Sequence, residues 1–352
     1  MKQHQFRCNR VTQVARSAFH RLQPDCMAPM IIADDYKFHE RDPADDTWTE
    51  TAFLIFSVPE CAISGNIYVL TRPNLGVCHS SIEIHQGMCM HPWQLHHNDS
   101  QMHMRCPADF SDFTLPNGLT FKAHSEREHE WRYQSRDGNC SLELDYSAIC
   151  EPTDARDPNQ VPQALDSKVD GYSGWNNGHL EGKGRVTGQL RLRDKTYTVD
   201  CVEGVNKSWG PRNDWGNKGA SWIHVDLGAD LTAFFVLMLD FDGRQVRYGP
   251  LKYGYVLING ERRPLLAAQM TATRTDMLVT SAKVSVTDDR GDVYHAYGKT
   301  IAAGPWYNFN PASAAYQCLL RWESGDRSGH SHIADFVGQY YLSLNMADEL
   351  YD

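Results

Sequence analysis

Arg185-Val186-Thr187-Gly188-Gln189-Leu190-Arg191-Leu192 alternates polar and apolar side chains, Arg193-Asp194-Lys195 offers a turn, and Thr196-Tyr197-Thr198-Val199-Asp200-Cys201 resumes the same period of two. Successive side chains of a strand point to opposite faces, so this stretch reads as a half-buried β-hairpin. The pattern spreads outward. Ser141-Leu142-Glu143-Leu144-Asp145-Tyr146-Ser147-Ala148 alternates without a break. Turn signals at Pro116-Asn117-Gly118, Asp137-Gly138-Asn139, Asp242-Gly243, Asn259-Gly260 and Asp288-Asp289-Arg290-Gly291 separate β-rich runs. After residue 30 the only helical candidates are near Pro311–Tyr316 and Asn345–Leu350. Many short strands with closely spaced turns predict an all-β chain of sandwich or barrel type.

The stretch from Glu151 to Asp170 interrupts this rhythm with Pro152, Pro158, Pro162, Asp154, Asp157 and Asp166. It reads as a linker between two β units of similar size. The division predicted is residues 1–30 as an N-terminal extension, 31–165 as a first barrel-like domain and 166–352 as a second. Closing a sheet removes its edges and, at about eight strands, can leave room for a small ligand. Two such units therefore suggest a hydrophobic cavity.

Composition narrows the function classes. With 352 residues, 34 Lys+Arg against 44 Asp+Glu and a net charge of −10, the chain lacks the basic footprint of a nucleic-acid binder. Its longest apolar block, Leu231 to Leu239, is strand length, so no integral membrane segment is expected. Residues 1–24 carry Lys2, Arg7, Arg10, Arg16 and Arg21, with Val11, Val14, Ala15, Ala18, Phe19 and Leu22 at helical spacing. A transit peptide, a surface helix and a helix added outside the domain all fit them. Ten cysteines without a C-x-x-C pair or a hydrophobic leader read as reduced thiols of a cytoplasmic protein.

Several clusters carry chemistry. Val205 to Trp215 gathers Trp209, Arg212, Asp214 and Trp215 around a Gly-Pro corner, which suits either the rim of an apolar cavity or a purely structural corner. In Trp222-Ile223-His224-Val225-Asp226, alternation puts Trp222, His224 and Asp226 on one face and Ile223 and Val225 on the other. If the first face lines a cavity, it supplies an aromatic wall, an imidazole and a carboxyl whose pKa burial would raise. If it faces solvent, Ile223 and Val225 are simply the core. Glu203 and Asp240 are further carboxyls on aromatic-flanked strands, whereas Asp242, just before Gly243, suits a turn. Tyr253 and Tyr255 fit cavity lining and ordinary sheet packing equally well. The stretch from His79 to Cys106 is rich in His, Met and Cys, but no spacing in it matches a metal motif, and no metal is assigned. His330-Ser331-His332 is read the same way. No dinucleotide fingerprint, Walker loop or nucleophile elbow is present.

The residues from about Asp34 onward resemble the family related to hydroxyneurosporene synthase, the carotenoid 1,2-hydratase. The resemblance is carried by Asp35-Tyr36-Lys37-Phe38-His39 with Trp48 and Glu50, and by Gly65 to Arg72 with Pro73 and Gly76. It continues through Gly178-His179-Leu180-Glu181-Gly182, Gly184-Arg185-Val186-Thr187-Gly188 and Ser208-Trp209-Gly210-Pro211-Arg212. It implies two lipocalin-like antiparallel β-barrels and acid-catalysed hydration of an alkene through a tertiary cation, without a metal or redox cofactor. Where such relatives commonly carry Arg-Asp, this chain has Val205-Asn206, and Asn206 cannot donate the proton such an Asp would.

The expectation is a cofactor-independent hydratase, dehydratase, isomerase or cyclase acting on a hydrophobic terpenoid or polyene-like molecule. Asp226 is the first candidate acid, with Glu203 and Asp240 in reserve, and His224 orients the acid or a water. Trp209, Trp215, Trp222, Tyr253 and Tyr255 are candidate substrate contacts, and Arg212 would brace the corner or meet a polar head group. A homodimer is the oligomer considered. The rival is a non-catalytic lipocalin-like carrier, whose pocket would hold no buried carboxyl.

Overall fold

The structure, a computed structural model, describes residues 33–155, 157, 160–161, 178–212, 218–242, 245–310 and 312–346. The expected N-terminal helix and Trp215 lie outside them. The chain is all-β, in two barrel-like units.

The first unit contains β1 (Trp48–Val58), β2 (Ile63–Arg72), β3 (Val77–Gln86), β4 (His97–Arg105), β5 (Asp112–Thr114), β6 (Leu119–Ala123), β7 (Glu128–Gln134), β8 (Cys140–Ala148), β9 (Thr153–Asp154), β10 (Gly178–Leu192) and β11 (Lys195–Pro211). They form one sheet in the order β4-β3-β2-β1-β11-β10-β8-β7-β6-β5, with β9 paired to β10. The pairings are antiparallel. The sheet curls until β4 meets β7: Tyr133 donates to Asp99 at 2.8 Å, and His97 lies 3.0 Å from the Tyr133 hydroxyl.

The second unit is a closed barrel of β12 (Gly219–Asp226), β13 (Leu231–Asp242), β14 (Gln245–Ile258), β15 (Glu261–Thr275), β16 (Leu278–Asp288), β17 (Val293–Asn310), β18 (Ser313–Ser324) and β19 (Arg327–Gly338), followed by α1 (Gln339–Met346). The predicted hairpin is β10–β11, whose register runs from Leu192 opposite Lys195 back to Gly178 opposite Trp209.

Three expectations need correction here. The sheets change between Pro211 and Gly219, not at residue 165, because β10 and β11 pair with β8 and β1 of the first sheet. Within the helical candidate at Pro311–Tyr316, residues 313–316 open β18 instead, and the C-terminal helix starts earlier than expected, at Gln339. Among the described residues, the barrel interior is filled with side chains in place of the expected ligand-sized hollow. Ile223, Val225, Phe235, Leu237, Leu320, Trp322 and Ile333 pack together within it. An apolar recess of about 20 Å³ bordered by Val225, Phe235, Val256 and Val286 is room for a water and no more.

The first sheet has its own core, including Leu54, Phe56, Ile67, Trp131, Leu144, Val186 and Val205. A third buried layer joins the two units. Phe53, Ile55, Tyr68 and Leu70 of β1 and β2 pack there with Trp222, Phe234, Val236, Tyr253, Tyr255, Trp306 and Phe336 of the barrel. Phe53 stacks on Trp306 at 5.6 Å, and the Trp306 indole N–H donates to Ser81 at 3.1 Å. This layer explains the unbroken apolar run Phe234–Leu239: a strand covered on both faces need not alternate. The eight cysteines among the described residues form no disulfide.

Candidate active site between the two sheets

The inter-sheet layer is not uniformly apolar. Along β10, Leu180 and Val186 enter the first core, while His179, Glu181 and Lys183 occupy the alternate positions. Along β12, Ile223 and Val225 enter the barrel, while Trp222 joins the inter-sheet layer and His224 shares its face. The polar face of that strand therefore meets neither a lumen nor solvent. It meets the first sheet. Gly204 makes the contact close, because a Cβ there would lie 2.5 Å from the His224 ring. Directly across the ladder from Gly204 is Lys183, and directly across from Asn206 is Glu181.

Hydrogen bonds cross the layer. Glu203 Oε1 lies 2.6 Å from His332 Nδ1, and His332 Nε2 lies 2.7 Å from Ser64 Oγ, so β11, β19 and β2 share one chain of buried polar groups. Gln317 Nε2 donates to Ser64 at 3.4 Å. His179 Nε2 is 3.1 Å from Glu181 Oε2. The Asp226 N–H donates to Ser331 Oγ at 2.9 Å, and that hydroxyl donates to the His224 carbonyl at 2.8 Å. Polar atoms in this region with no hydrogen-bond partner among the described residues include Lys183 Nζ, Glu203 Oε2, His224 Nδ1, Asn66 Nδ2 and His85 Nε2. Buried polar atoms are rarely left in this state unless something else fills the role.

Electrostatics separates the groups. Burial raises the Asp226 carboxyl to about 6; the nearby Lys183 ammonium pulls it down and Glu203 pushes it further up. Burial drives the Glu181 carboxyl well above the usual carboxylate range, with Lys183 pulling the other way. Burial, helped by Lys183 and His332, drives His224 well below its ordinary value, and burial with Lys252 and Arg212 does the same to His179. Both imidazoles are thus neutral and able to accept or relay a proton, not to supply one. Perturbed carboxyls beside neutral imidazoles are the combination proton-transfer sites use.

Of the residues expected from sequence, Trp222, His224, Asp226, Glu203, Tyr253 and Tyr255 come together in or beside this layer. Tyr253 presents its ring edge-on to His179 at 6.1 Å, and both tyrosines pack on Phe234. Two residues do not come together with them. Asp240 is exposed at 65% and faces Lys218 at 3.9 Å, because β13 runs past the end of the layer before reaching it. Trp209 stacks on His39 at 3.7 Å inside the first core, on the face of β11 opposite Ser208, and is no wall of this site. Arg212 donates to Ser208, which in turn bonds Thr51 at 2.7 Å, so it braces the corner.

Sequence reasoning did not place His179, Glu181, Lys183, His332, Ser64 or Gln317 in a site. The available signal was the alternation His179-x-Glu181-x-Lys183 between Leu180, Gly182 and Gly184, three ionisable groups on one strand face. The histidines of 79–106 disperse: His91 stacks on exposed Trp93, while His97 bonds Tyr133. Among the described residues no three His, Cys, Asp or Glu side chains converge as metal ligands.

A family model covers residues 33–334. The chain belongs to the family Domain of unknown function (DUF7064). No sequence among curated proteins matches this DUF7064 member. Two solved structures share its fold. A protein designated a candidate ATTH from Nitrosomonas europaea superposes with a TM-score of 0.58 at 10% identity, over 90% of this chain and 99% of that one. Kievitone hydratase from Nectria haematococca does so with a TM-score of 0.52 at 9% identity, over 83% and 89%. The expected lipocalin-like double-barrel fold is therefore the fold of this chain. No helix among the described residues is long and apolar enough to cross a membrane.

Proposed function

We propose that the inter-sheet layer is the active site of a cofactor-independent enzyme that adds water to, or removes it from, a double bond in a hydrophobic small molecule of the terpenoid or polyene-like class. Isomerisation and cyclisation draw on the same proton donor. The observation that carries this reading is the presence of two proton-handling groups near one another: the half-buried Asp226 carboxyl, raised to about 6 partly by the Glu203 charge, and the buried Glu203–His332–Ser64 chain at 2.6 and 2.7 Å.

In the hydration direction, Asp226 delivers its proton to one alkene carbon and the oxygen of a water bonds to the other. The water's surplus proton passes to the imidazole of His332, backed by Glu203; His332 then releases it to solvent, and solvent returns one proton to Asp226. General acid–base assistance of this kind contributes about 10²–10⁴-fold. Neutral His224, two residues along the strand from Asp226, orients the water or the acid. Trp222, Phe234, Tyr253 and Tyr255 shape the apolar wall. Glu181, its carboxyl pushed well above the usual range by burial, replaces Asp240 as the second candidate donor. The reading includes a cytoplasmic, homodimeric enzyme.

The similarity of fold to kievitone hydratase supports a hydratase-type reading. Burial of Glu181 and Glu203 weighs against a passive carrier, for which desolvating carboxyls serves nothing. The test is to incubate the purified protein with metabolite extracts and search by mass spectrometry for compounds that gain or lose one water. Such a change is expected with the wild type and absent with Asp226→Asn. Captured ligands that leave the wild type chemically unaltered would return the carrier reading.

A further inference from the structure

Lys183 is the odd member of the site. Its side chain is fully buried, yet its ammonium has no hydrogen-bond partner among the described residues. Asp226, Glu181 and His224 are near enough to feel its charge through space. None of them bonds to it. An ammonium carries three donors and no acceptor, so all three N–H bonds need an oxygen or nitrogen lone pair from elsewhere. Asn66 Nδ2, a second unpartnered donor, stands on the same inter-sheet face of the first sheet as Ser64. We propose that Lys183 is a substrate-anchoring residue that receives a carbonyl or anionic oxygen, so the substrate is an oxygen-bearing conjugated molecule and not a bare polyene hydrocarbon.

This inference rests on the hydratase reading and restricts its substrate class. A hydrocarbon filling the layer would expel water and leave a buried cation with nothing to bond, the most unfavourable arrangement open to it. An oxygen acceptor makes the same burial favourable, since hydrogen bonds to ionised groups are about twice as strong as neutral ones. The charge also bears on the reaction. A fixed cation beside the reacting double bond disfavours a carbocation and favours an intermediate with negative charge on oxygen, as when water adds to an enone. Proton delivery and water addition then balance as before, with the electron pair resting on the Lys183-bound oxygen between the two steps.

The test is a fluorescence titration of the purified full chain with parinaric acid, its methyl ester and the hydrocarbon tetraene of the same chain length. The wild type should bind the acid at least about tenfold more tightly than the hydrocarbon, with the ester between them. Lys183→Met should bring the three to similar affinities without lowering the melting temperature, because it removes an unpaired buried cation. Lys183→Arg should keep most of the preference, since guanidinium also carries charge and donors. Equal affinities in the wild type, an unchanged order in Lys183→Met, or no binding of any probe would overturn the proposal. So would a large fall in melting temperature in Lys183→Met, which would mark a structural partner. Because the readout is binding, it can fail while the mass-change assay succeeds, and the reverse.

Discussion

Two lysines, both fully buried, divide the molecule into a part that holds itself together and a part that waits for something. Lys207, in the core of the first sheet, donates to Glu50 at 2.8 Å and lies 4.3 Å above the Phe110 ring. Glu50 is further bonded by the His39 backbone N–H at 2.8 Å and by the Trp48 indole at 3.2 Å. Lys183, in the inter-sheet layer, has neighbours of the same chemical kind and no bond to any of them. The difference lies in satisfaction, not burial. A closed network stabilises a core or at least costs it little; an open one persists only if another component completes it.

The largest effect expected from this contrast is catalytic. Asp226→Asn keeps the shape of the side chain and removes its proton, so turnover should fall by about 10²–10⁴-fold. Stability should hold, because the Asp226 side chain makes no ion pair among the described residues and its backbone N–H keeps Ser331. Mass-spectrometric product formation alongside a melting curve checks both halves. Wild-type turnover in the variant would reject Asp226 as donor, and Glu181→Gln would then be the next variant to assay.

Next in size is the core pair. Lys207→Met strands Glu50 among apolar groups, and breaking one side of a buried pair typically costs about 3–5 kcal/mol. Urea denaturation should show that loss, while Lys183→Met shows none or a gain. Equal losses at the two lysines would erase the distinction between the two regions.

How far the sequence foretold this follows from what alternation can and cannot say. Period two divided β12 correctly into Ile223 and Val225 against Trp222, His224 and Asp226. It could not say what the polar face meets, since water and a second polar sheet impose the same pattern. For that reason His179-x-Glu181-x-Lys183 was not assigned to a site. The bonds that assemble the site join Ser64 to His332 across 268 positions and Glu203 to His332 across 129, separations at which no local pattern speaks. Asp240 was misjudged because its strand outruns the layer. Trp209 was misjudged because β11 turns its corner indole inward, onto His39.

The same contrast should appear as opposite pH signatures. In the core, burial works to raise the Glu50 carboxyl, but Lys207 and His39 outweigh it and hold it at about 2. The stability Glu50 contributes is therefore present above its unfolded value near 4.5 and lost as pH falls toward 2, a change on the order of 2–3 kcal/mol. Asp226, raised to about 6 with Lys183 and Glu203 facing it, has the reverse sign. The folded state holds the extra proton, so its contribution is greatest below about 4 and declines as pH rises through 6. Urea midpoints measured across this range should flatten below pH 4.5 in Glu50→Gln and between pH 4 and 6 in Asp226→Asn. Exchanged effects would mean the two clusters had been assigned the wrong roles.

The smallest expected effect tests the seam itself. At Gly204 the backbone of β11 lies against the His224 ring, and an added Cβ would stand 2.5 Å from its Cε1 and 2.9 Å from its Nε2. No real Cβ contact is that short, so Gly204→Ala must push the imidazole away from the first sheet. Overpacking at a well-filled position costs about 1–3 kcal/mol, and the low end is expected here because a side chain, not backbone, has to yield. The catalytic consequence separates two roles for His224. If the ring positions water or acid, displacing it lowers turnover about tenfold while Asp226 still titrates near 6. If the ring is only packing, turnover follows stability and no more. Pairing Gly204→Ala with His224→Ala decides between them: a positioning role requires the double variant to be no worse than His224→Ala alone, because the glycine acts only through the ring it accommodates.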